Sequence, residues 1–263
     1  KIALLTDSSA DLRWDQAREN NIFFVPLRIL CEDGEYLDGV NITGPDIYQR
    51  LHNGELPQTS LPRVEDFSAK LREIFDLGYD GVIAVMLSSG LSGTYNLARI
   101  LAGECAEQGY AMKVFDSVSG ALGQGMTVLQ LAEDIKNGMD WEELTERRAP
   151  QLIANTYPFF SVDTLEYLVK GGRIGKVTAM AGTMLQIKPV MHVDDEGHLI
   201  NMSKARGRQA SLSALGPHVA QAHVHAQRAQ LFLHQVKLRL RVALKAVQRD
   251  HHGHGIHLLH VLD

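Results

Sequence analysis

Apolar and polar positions along this chain follow two rhythms. Short continuous apolar runs end abruptly in polar turns, and between them lie stretches in which apolar residues return every three or four positions. Residues 2–5 form the first run and meet Thr6, Asp7, Ser8 and Ser9, the pattern of a buried parallel strand with a polar tip. A helix is predicted over 12–19, and a second extended run over 22–30 is interrupted by Pro26. Glu32, Asp33 and Gly34 make a turn from which 35–38 returns as a partner strand. Thr43, Gly44 and Pro45 start a helix through about residue 51, which Asn53 and Gly54 stop. Residues 56–62, LPQTSLP, carry two prolines in seven positions and are predicted as loop. Val64, Phe67, Leu71, Ile74 and Phe75 then share one face of a helix over 64–77. The clearest buried strand, 81–87, empties into 88–93, and a helix over 94–107 and a strand over 112–115 follow. A Ser- and Gly-rich stretch, 116–125, leads to helices over 126–136 and 141–153.

Strands alternating with helices build a mostly parallel sheet with helices on both faces. After about residue 155 the rhythm changes. A strand is predicted over 157–162, a short helix over 165–169, a loop over 171–175, and strands over 186–193 and 198–203 joined by the turn Asp194, Asp195, Glu196, Gly197. The expected organisation is an α/β domain over 1–155 followed by a second, α+β domain over 156–263.

Composition narrows the function. In 263 residues, 45% are apolar but only 6% aromatic, so the core is mainly aliphatic and base stacking on exposed rings is disfavoured. The net charge of −5 also argues against nucleic acid. Cys31 and Cys105 make neither a disulfide framework nor a CxxC pair, which fits a reducing compartment. The opening KIALLTDSS turns polar too soon for a secretory signal, and no apolar run is long enough for a membrane span. A cytoplasmic protein without integral membrane association is expected.

Open α/β sheets bind ligands at the carboxyl ends of their strands, so the polar tips are the candidate site. The most informative is SSGLSGTYN, 88–96, where Ser88, Ser89, Ser92 and Thr94 stand with Gly90 and Gly93 between a strand and a helix, and Asn96 follows. Unpaired amides at a helix start, glycines that allow close approach and neutral hydroxyl donors make an anion cradle, suited to a carboxylate or a phosphate. One such hydroxyl would be read as a helix cap; four exceed what a cap requires. Thr59 and Ser60 form a second hydroxyl pair between stiffening prolines, and Thr6 to Ser9 and Asp116 to Ser119 are two further polar tips. Arg173, behind Gly171 and Gly172, can project a guanidinium toward a carboxylate or phosphate. There is no GxSxG elbow, P-loop, HExxH or GxGxxG spacing. The site therefore suits holding an anion more than breaking bonds. An enzyme acting on a small phosphorylated metabolite is the alternative, with Asp7, Asp116 and Asp163 as the carboxylates it would need for base and metal.

TDSSADL (6–12), QTSLP (58–62) with Phe67 downstream, SSGLSGTYN (88–96), VFDS (114–117), DTLEYLVKGGRIGK (163–176) and IKPV (187–190) occur in the order and approximate spacing of the DegV family, which the chain resembles over about residues 1–208. These are bacterial fatty-acid-binding proteins, several of which serve as the carrier subunit of a fatty acid kinase. The resemblance implies a DegV-like two-domain fold that buries a long-chain fatty acid such as palmitate between its domains. It implies that Thr59 and Ser92 hold the carboxylate, with Ser60, Ser88, Ser89, Gly93, Thr94 and Asn96 in the surrounding loops, and that Arg173 lies near it and near the docking surface for a kinase partner. A binding subunit is implied, with no catalytic residue, cofactor or metal of its own. Where the family usually has TSQP, this chain has Thr59, Ser60, Leu61, Pro62, and the leucine removes a polar group beside the head-group loop.

From about residue 209 the pattern departs from the resemblance, and the family's closing His-Thr-Gly-Pro-Gly motif is absent. Residues 1–196 carry a formal charge of −12 and residues 197–263 one of +7, and nine of the 12 histidines lie at or after His218. His251, His252, His254 and His257 allow a metal-binding tail, whereas the coincident shift in charge, histidine content and motifs favours a non-native segment over 209–263.

Overall fold

In the computed structural model, which describes residues 1–180 and 187–226, the apolar runs become parallel strands. The chain enters through β1 (Ile2–Asp7), takes a single 3-10 turn at Ser8–Ala10, and returns through α1 (Trp14–Glu19) to β2 (Ile22–Val25). Pro26 ends that strand, and the chain leaves the sheet. β3 (Arg28–Cys31) and β4 (Gly34–Leu37) form an antiparallel hairpin, α2 (Gly44–His52) follows, and β5 (Gln58–Ser60) pairs with the other edge of β3. After α3 (Val64–Asp76) come β6 (Gly81–Met86), α4 (Thr94–Glu107), β7 (Ala111–Asp116) and α5 (Ala121–Lys136). A π-helical turn, Glu143–Arg148, runs into α6 (Ala149–Ala154). The main sheet has the order β2-β1-β6-β7, parallel throughout.

Side chains alternate across this sheet, so each strand supplies two cores. Ala3 and Leu5 of β1 and Val82, Ala84 and Met86 of β6 pack with Phe67, Leu71 and Ile74 of α3 and Leu97, Ala98 and Leu101 of α4. Leu4, Ile83 and Val85 lie between them in sequence, are also fully buried, and face the side covered by α5. The Asp134–Arg148 ion pair, 2.6 Å apart and nearly buried, ties α5 to the π-helical turn. Asp134 also accepts from Gln130 Nε2 at 2.9 Å, so the buried charge is partnered twice.

Three expectations are corrected. The extended run over 22–30 is two strands in two different sheets, because proline cannot extend the ladder where the backbone turns at Pro26. The segment LPQTSLP is not all loop: Gln58–Ser60 pairs with β3, with Thr59 opposite Ile29, and both prolines fall outside the paired residues. Helix α5 begins five residues before the predicted start, at Ala121. The Ser- and Gly-rich stretch 116–125 thus contributes to the helix, and Gly125 lies so close to Ala10 that any Cβ there would overlap the Ala10 carbonyl oxygen. The glycine brings the helix onto the 3-10 turn after β1.

The chain divides into two compact units, Lys1–Thr156 with Asp195–His198, and Tyr157–Asp194 with the residues from Leu199 onward. In the second unit, β8 (Phe159–Ser161), β9 (Ile187–Val193) and β10 (Leu199–Arg206) form an antiparallel sheet of order β10-β9-β8. Between β8 and β9 lies α7 (Glu166–Lys170), followed by a 3-10 turn at Gly175–Met180. Helix α8 (Arg208–Ala226) packs on the sheet through buried Ser211 and Leu215. The first part of the atypical segment, through residue 226, thus lies in α8; the four histidines of the candidate metal tail lie outside the described residues.

Phe67→Ala removes a fully buried ring from the α3–α4 core and is expected to cost about 3–5 kcal/mol of unfolding free energy. Gly125→Ala is expected to destabilise as well, by forcing α5 off the Ala10 carbonyl. Urea unfolding of both variants checks the pair, and a Gly125→Ala protein as stable as the parent would show that the helix need not lie so close.

Candidate functional site

The carboxyl ends of β1, β6 and β7 lie side by side in the main sheet, and each opens into a polar loop. Where a parallel ladder stops, the next amides have no strand partner, and buried amides need acceptors. Asp7 supplies one. Its carboxylate is fully buried and accepts the Leu87 amide, just beyond β6, at 2.7 Å, as well as the Ser9 amide at 3.0 Å and the Ser9 hydroxyl. Burial pushes the Asp7 carboxyl above the ordinary carboxylate range, against the lowering effect of those hydrogen bonds. Beside it, Gln124 of α5 donates to Thr6 Oγ1 at 2.9 Å and accepts from Ser9 Oγ at 2.9 Å.

Asp116 does the same work at the end of β7, accepting the Val118 amide at 2.8 Å and the Ser89 amide at 3.1 Å. Two strand-end carboxylates thereby hold both the entry to the 88–94 loop and its second residue. Within the loop, Ser88 is fully buried: its amide donates to the Ser119 carbonyl at 2.9 Å, and its own carbonyl accepts the Leu91 and Ser92 amides at 2.9 and 3.0 Å. The Ser88 hydroxyl donates to the Gly197 carbonyl at 2.9 Å and accepts the Gly90 amide at 3.3 Å. Ser92 and Thr94 carry hydroxyls 2.9 Å apart, and Ser92 Oγ accepts the Thr94 amide at 3.2 Å. Gly93 is the N-cap of α4 and offers no side chain, and the first amides of the helix have no acceptor within it. Asn96 is exposed on the first turn of α4.

The second hydroxyl segment is carried by the small antiparallel sheet. Thr59 is exposed, and among the described residues its hydroxyl has no hydrogen-bond partner. Ser60 points to the opposite face of β5. Its oxygen accepts from Arg28 at 2.8 Å, while the same guanidinium donates to the Leu61 carbonyl at 2.8 Å and pairs with Glu35 at 3.1 Å. Leu61 in turn reaches Gly93: a Cβ placed there would lie 3.9 Å from Leu61 Cδ2, an ordinary van der Waals contact. Leu61, the residue after Ser60, is thus the neighbour of Gly93 from this sheet. Arg173 belongs to the second unit, where it is exposed on the turn after α7 and donates to the Gly171 carbonyl.

Asp7 and Asp116, which the enzyme reading would use as base or metal ligands, spend their oxygens on backbone amides, and Asp163 pairs with Arg208 at 3.1 Å. The His/Cys/Asp/Glu groups of metal-binding spacing among the described residues contain none of these three. One is Cys31, Asp33 and Glu55, where Arg50 already pairs with both carboxylates, at 2.8 and 3.0 Å. Arg28, Gln124 and Gly197 escaped the sequence reading. Arg28 lies 32 residues from its partner Ser60 and Gly197 lies 109 from Ser88, so neither belongs to a local motif.

The fold defines a two-unit α/β protein with hydroxyl-bearing loops at the carboxyl ends of its parallel sheet. The chain belongs to the DegV family: the family model, described as "Uncharacterised protein, DegV family", matches residues 1–258. A DegV domain-containing protein of Clostridium perfringens is 40% identical over 215 residues, covering 82% of this chain and 75% of that one. Among solved structures, a DegV family protein of Thermus thermophilus described for its fatty acid binding superposes with a TM-score of 0.77 at 32% identity, over 84% of this chain and 78% of that one. A stearic acid-binding protein of Eubacterium ventriosum superposes with a TM-score of 0.75 at 26% identity, over 87% of this chain and 79% of that one.

Asp7→Asn places an amide NH2 among donors and is expected to cost about 1–3 kcal/mol of stability. Because the folded-state pKa of Asp7 lies above its ordinary value, the protonated carboxyl favours the folded protein, and that contribution is lost as pH rises through the raised pKa. The stability gap between parent and variant should therefore narrow from pH 4 towards neutrality. Urea midpoints measured across that range check it, and a gap that widens with pH would refute the raised pKa.

Proposed function

We propose that this protein binds a long-chain fatty acid and presents its carboxylate to a fatty acid kinase, acting as a carrier without chemistry of its own. The carboxylate is taken by uncharged donors: the Ser92 hydroxyl, with Thr94 beside it and the first amides of α4 behind it, and the Thr59 hydroxyl from the neighbouring segment. Ser60, Ser88, Ser89, Gly93 and Asn96 shape the surrounding loops. The observation that carries this reading is the pair of hydroxyls of Ser92 and Thr94, 2.9 Å apart where the chain enters α4. The fatty-acid-binding relatives from Thermus thermophilus and Eubacterium ventriosum support the ligand class.

The energetics divide the labour between head and tail. Burying hydrocarbon contributes about 0.8 kcal/mol per CH2, so a sixteen-carbon chain supplies roughly 10 kcal/mol before the costs of binding. A hydrogen bond to a charged group adds about 1.5–3 kcal/mol. Affinity thus comes from the tail, and the hydroxyls choose the head group and hold it in one orientation. Neutral donors leave the carboxylate its charge, and with it the nucleophilicity that phosphorylation requires. Arg173, on the exposed turn of the second unit, is assigned to the kinase contact. Free Cys31 and Cys105 fit a reducing cytoplasm, and among the described residues no helix is long and apolar enough to cross a membrane.

Solvent extraction of the purified protein followed by mass spectrometry should recover a long-chain fatty acid in stoichiometric amount; its absence together with phosphatase activity would favour the enzyme alternative. Ser92→Ala and Thr59→Ala are each expected to weaken palmitate binding by about tenfold, the equivalent of one charged hydrogen bond. Arg173→Ala should leave palmitate affinity intact and slow phosphorylation of the bound acid by an added fatty acid kinase. Displacement of a fluorescent fatty acid and a coupled kinase assay read the two effects.

A further inference from the structure

The turn Asp195–His198 lies in the first unit, against the hydroxyl loop, although it stands more than 100 residues from it in sequence. Its closest approach is a backbone interlock. A Cβ on Gly90 would lie 2.5 Å from the Gly197 carbonyl oxygen and 3.1 Å from the Glu196 oxygen, and a Cβ on Gly197 would overlap Ser88 Oγ. Gly197 also sits at φ +81°, a left-handed conformation that only glycine adopts freely. Ser88 occupies the centre of the interlock, with its hydroxyl shared between the Gly197 carbonyl and the Gly90 amide. The carbonyl of the same residue holds the Leu91 and Ser92 amides.

We infer that Ser88 and Gly197 are a positioning pair: the turn Asp195–His198 sets the place from which the loop presents the Ser92 hydroxyl to a carboxylate. This rests on the carboxylate reading proposed above and adds to it a specificity device outside the head-group loops. Displacing the turn tilts Ser88, and with Ser88 the two amides that define the path of the chain through Ser92. Ser88 acts through Ser92 and does not touch the ligand, because its hydroxyl is buried and engaged on both sides.

The test compares palmitate with methyl palmitate, which shares the tail and lacks the anionic head, by displacement of a fluorescent fatty acid. Parent, Gly197→Ala, Ser88→Ala, Ser92→Ala and the Gly197→Ala/Ser92→Ala double variant are measured together. Hydrogen exchange at the Leu91 and Ser92 amides is followed in the same proteins. The expected result is a fall of about tenfold in the acid-to-ester affinity ratio for Gly197→Ala and Ser88→Ala, with ester binding unchanged. Faster exchange at Leu91 and Ser92 and no further fall in the double variant are expected with it. An unchanged ratio in both single variants while Ser92→Ala lowers it would overturn the pairing. Equal losses for acid and ester would do so too, by reducing the contact to general support of the fold. Equal affinity of the parent for acid and ester would sink the carboxylate reading itself, and the positioning role with it; that outcome is read from the parent alone.

Discussion

A parallel sheet covered on both faces has to dispose of the backbone amides that emerge where its ladder stops, and in this protein two side-chain carboxylates take them, one fully buried and one half-buried. Asp7 closes the junction of β1 and β6, and Asp116 closes the junction of β6 and β7. Without Asp7, the Leu87 amide would lose its acceptor at the base of the hydroxyl loop, at a cost comparable to a lost hydrogen bond. The arrangement also keeps the charges of Asp7 and Asp116 occupied with backbone donors.

The hydroxyls of the loop are accordingly not equivalent. Ser88 is an internal brace whose donor and acceptor capacities are used within the protein, while Ser92 and Thr94 form a pair at the start of α4. Thr59 lies in a separate sheet whose central strand carries Arg28, which bonds Ser60 and Leu61 on one side and Glu35 on the other. The leucine at position 61 has a structural use in this setting: its side chain is what meets Gly93.

Much of the architecture was legible in the chain. β6 and α4 came out nearly residue for residue, because an uninterrupted apolar run followed by a hydroxyl-rich turn and a helical period has few other solutions. The hairpin of β3 and β4 followed from its turn, and so did that of β9 and β10. Readings failed where a residue's usual local meaning was overridden by packing. Gly125 reads as part of a Ser- and Gly-rich stretch before the helix and instead lies within α5 against the Ala10 carbonyl. Pro57 and Pro62 marked a loop and merely flank a three-residue strand, too short to show a period of two.

Residue order by itself determined the alternation of strands and helices, the polar strand tips and the hydroxyl types offered there, since these depend on local periodicity and on the chemistry of single residues. Only the tertiary structure decided which hydroxyls are internal and which face outward, that Arg28 reaches back to Ser60, and that Gly197 lies on Ser88. Each of those contacts joins positions far apart in the chain, and such pairings are set by how the elements pack and not by any spacing along the sequence.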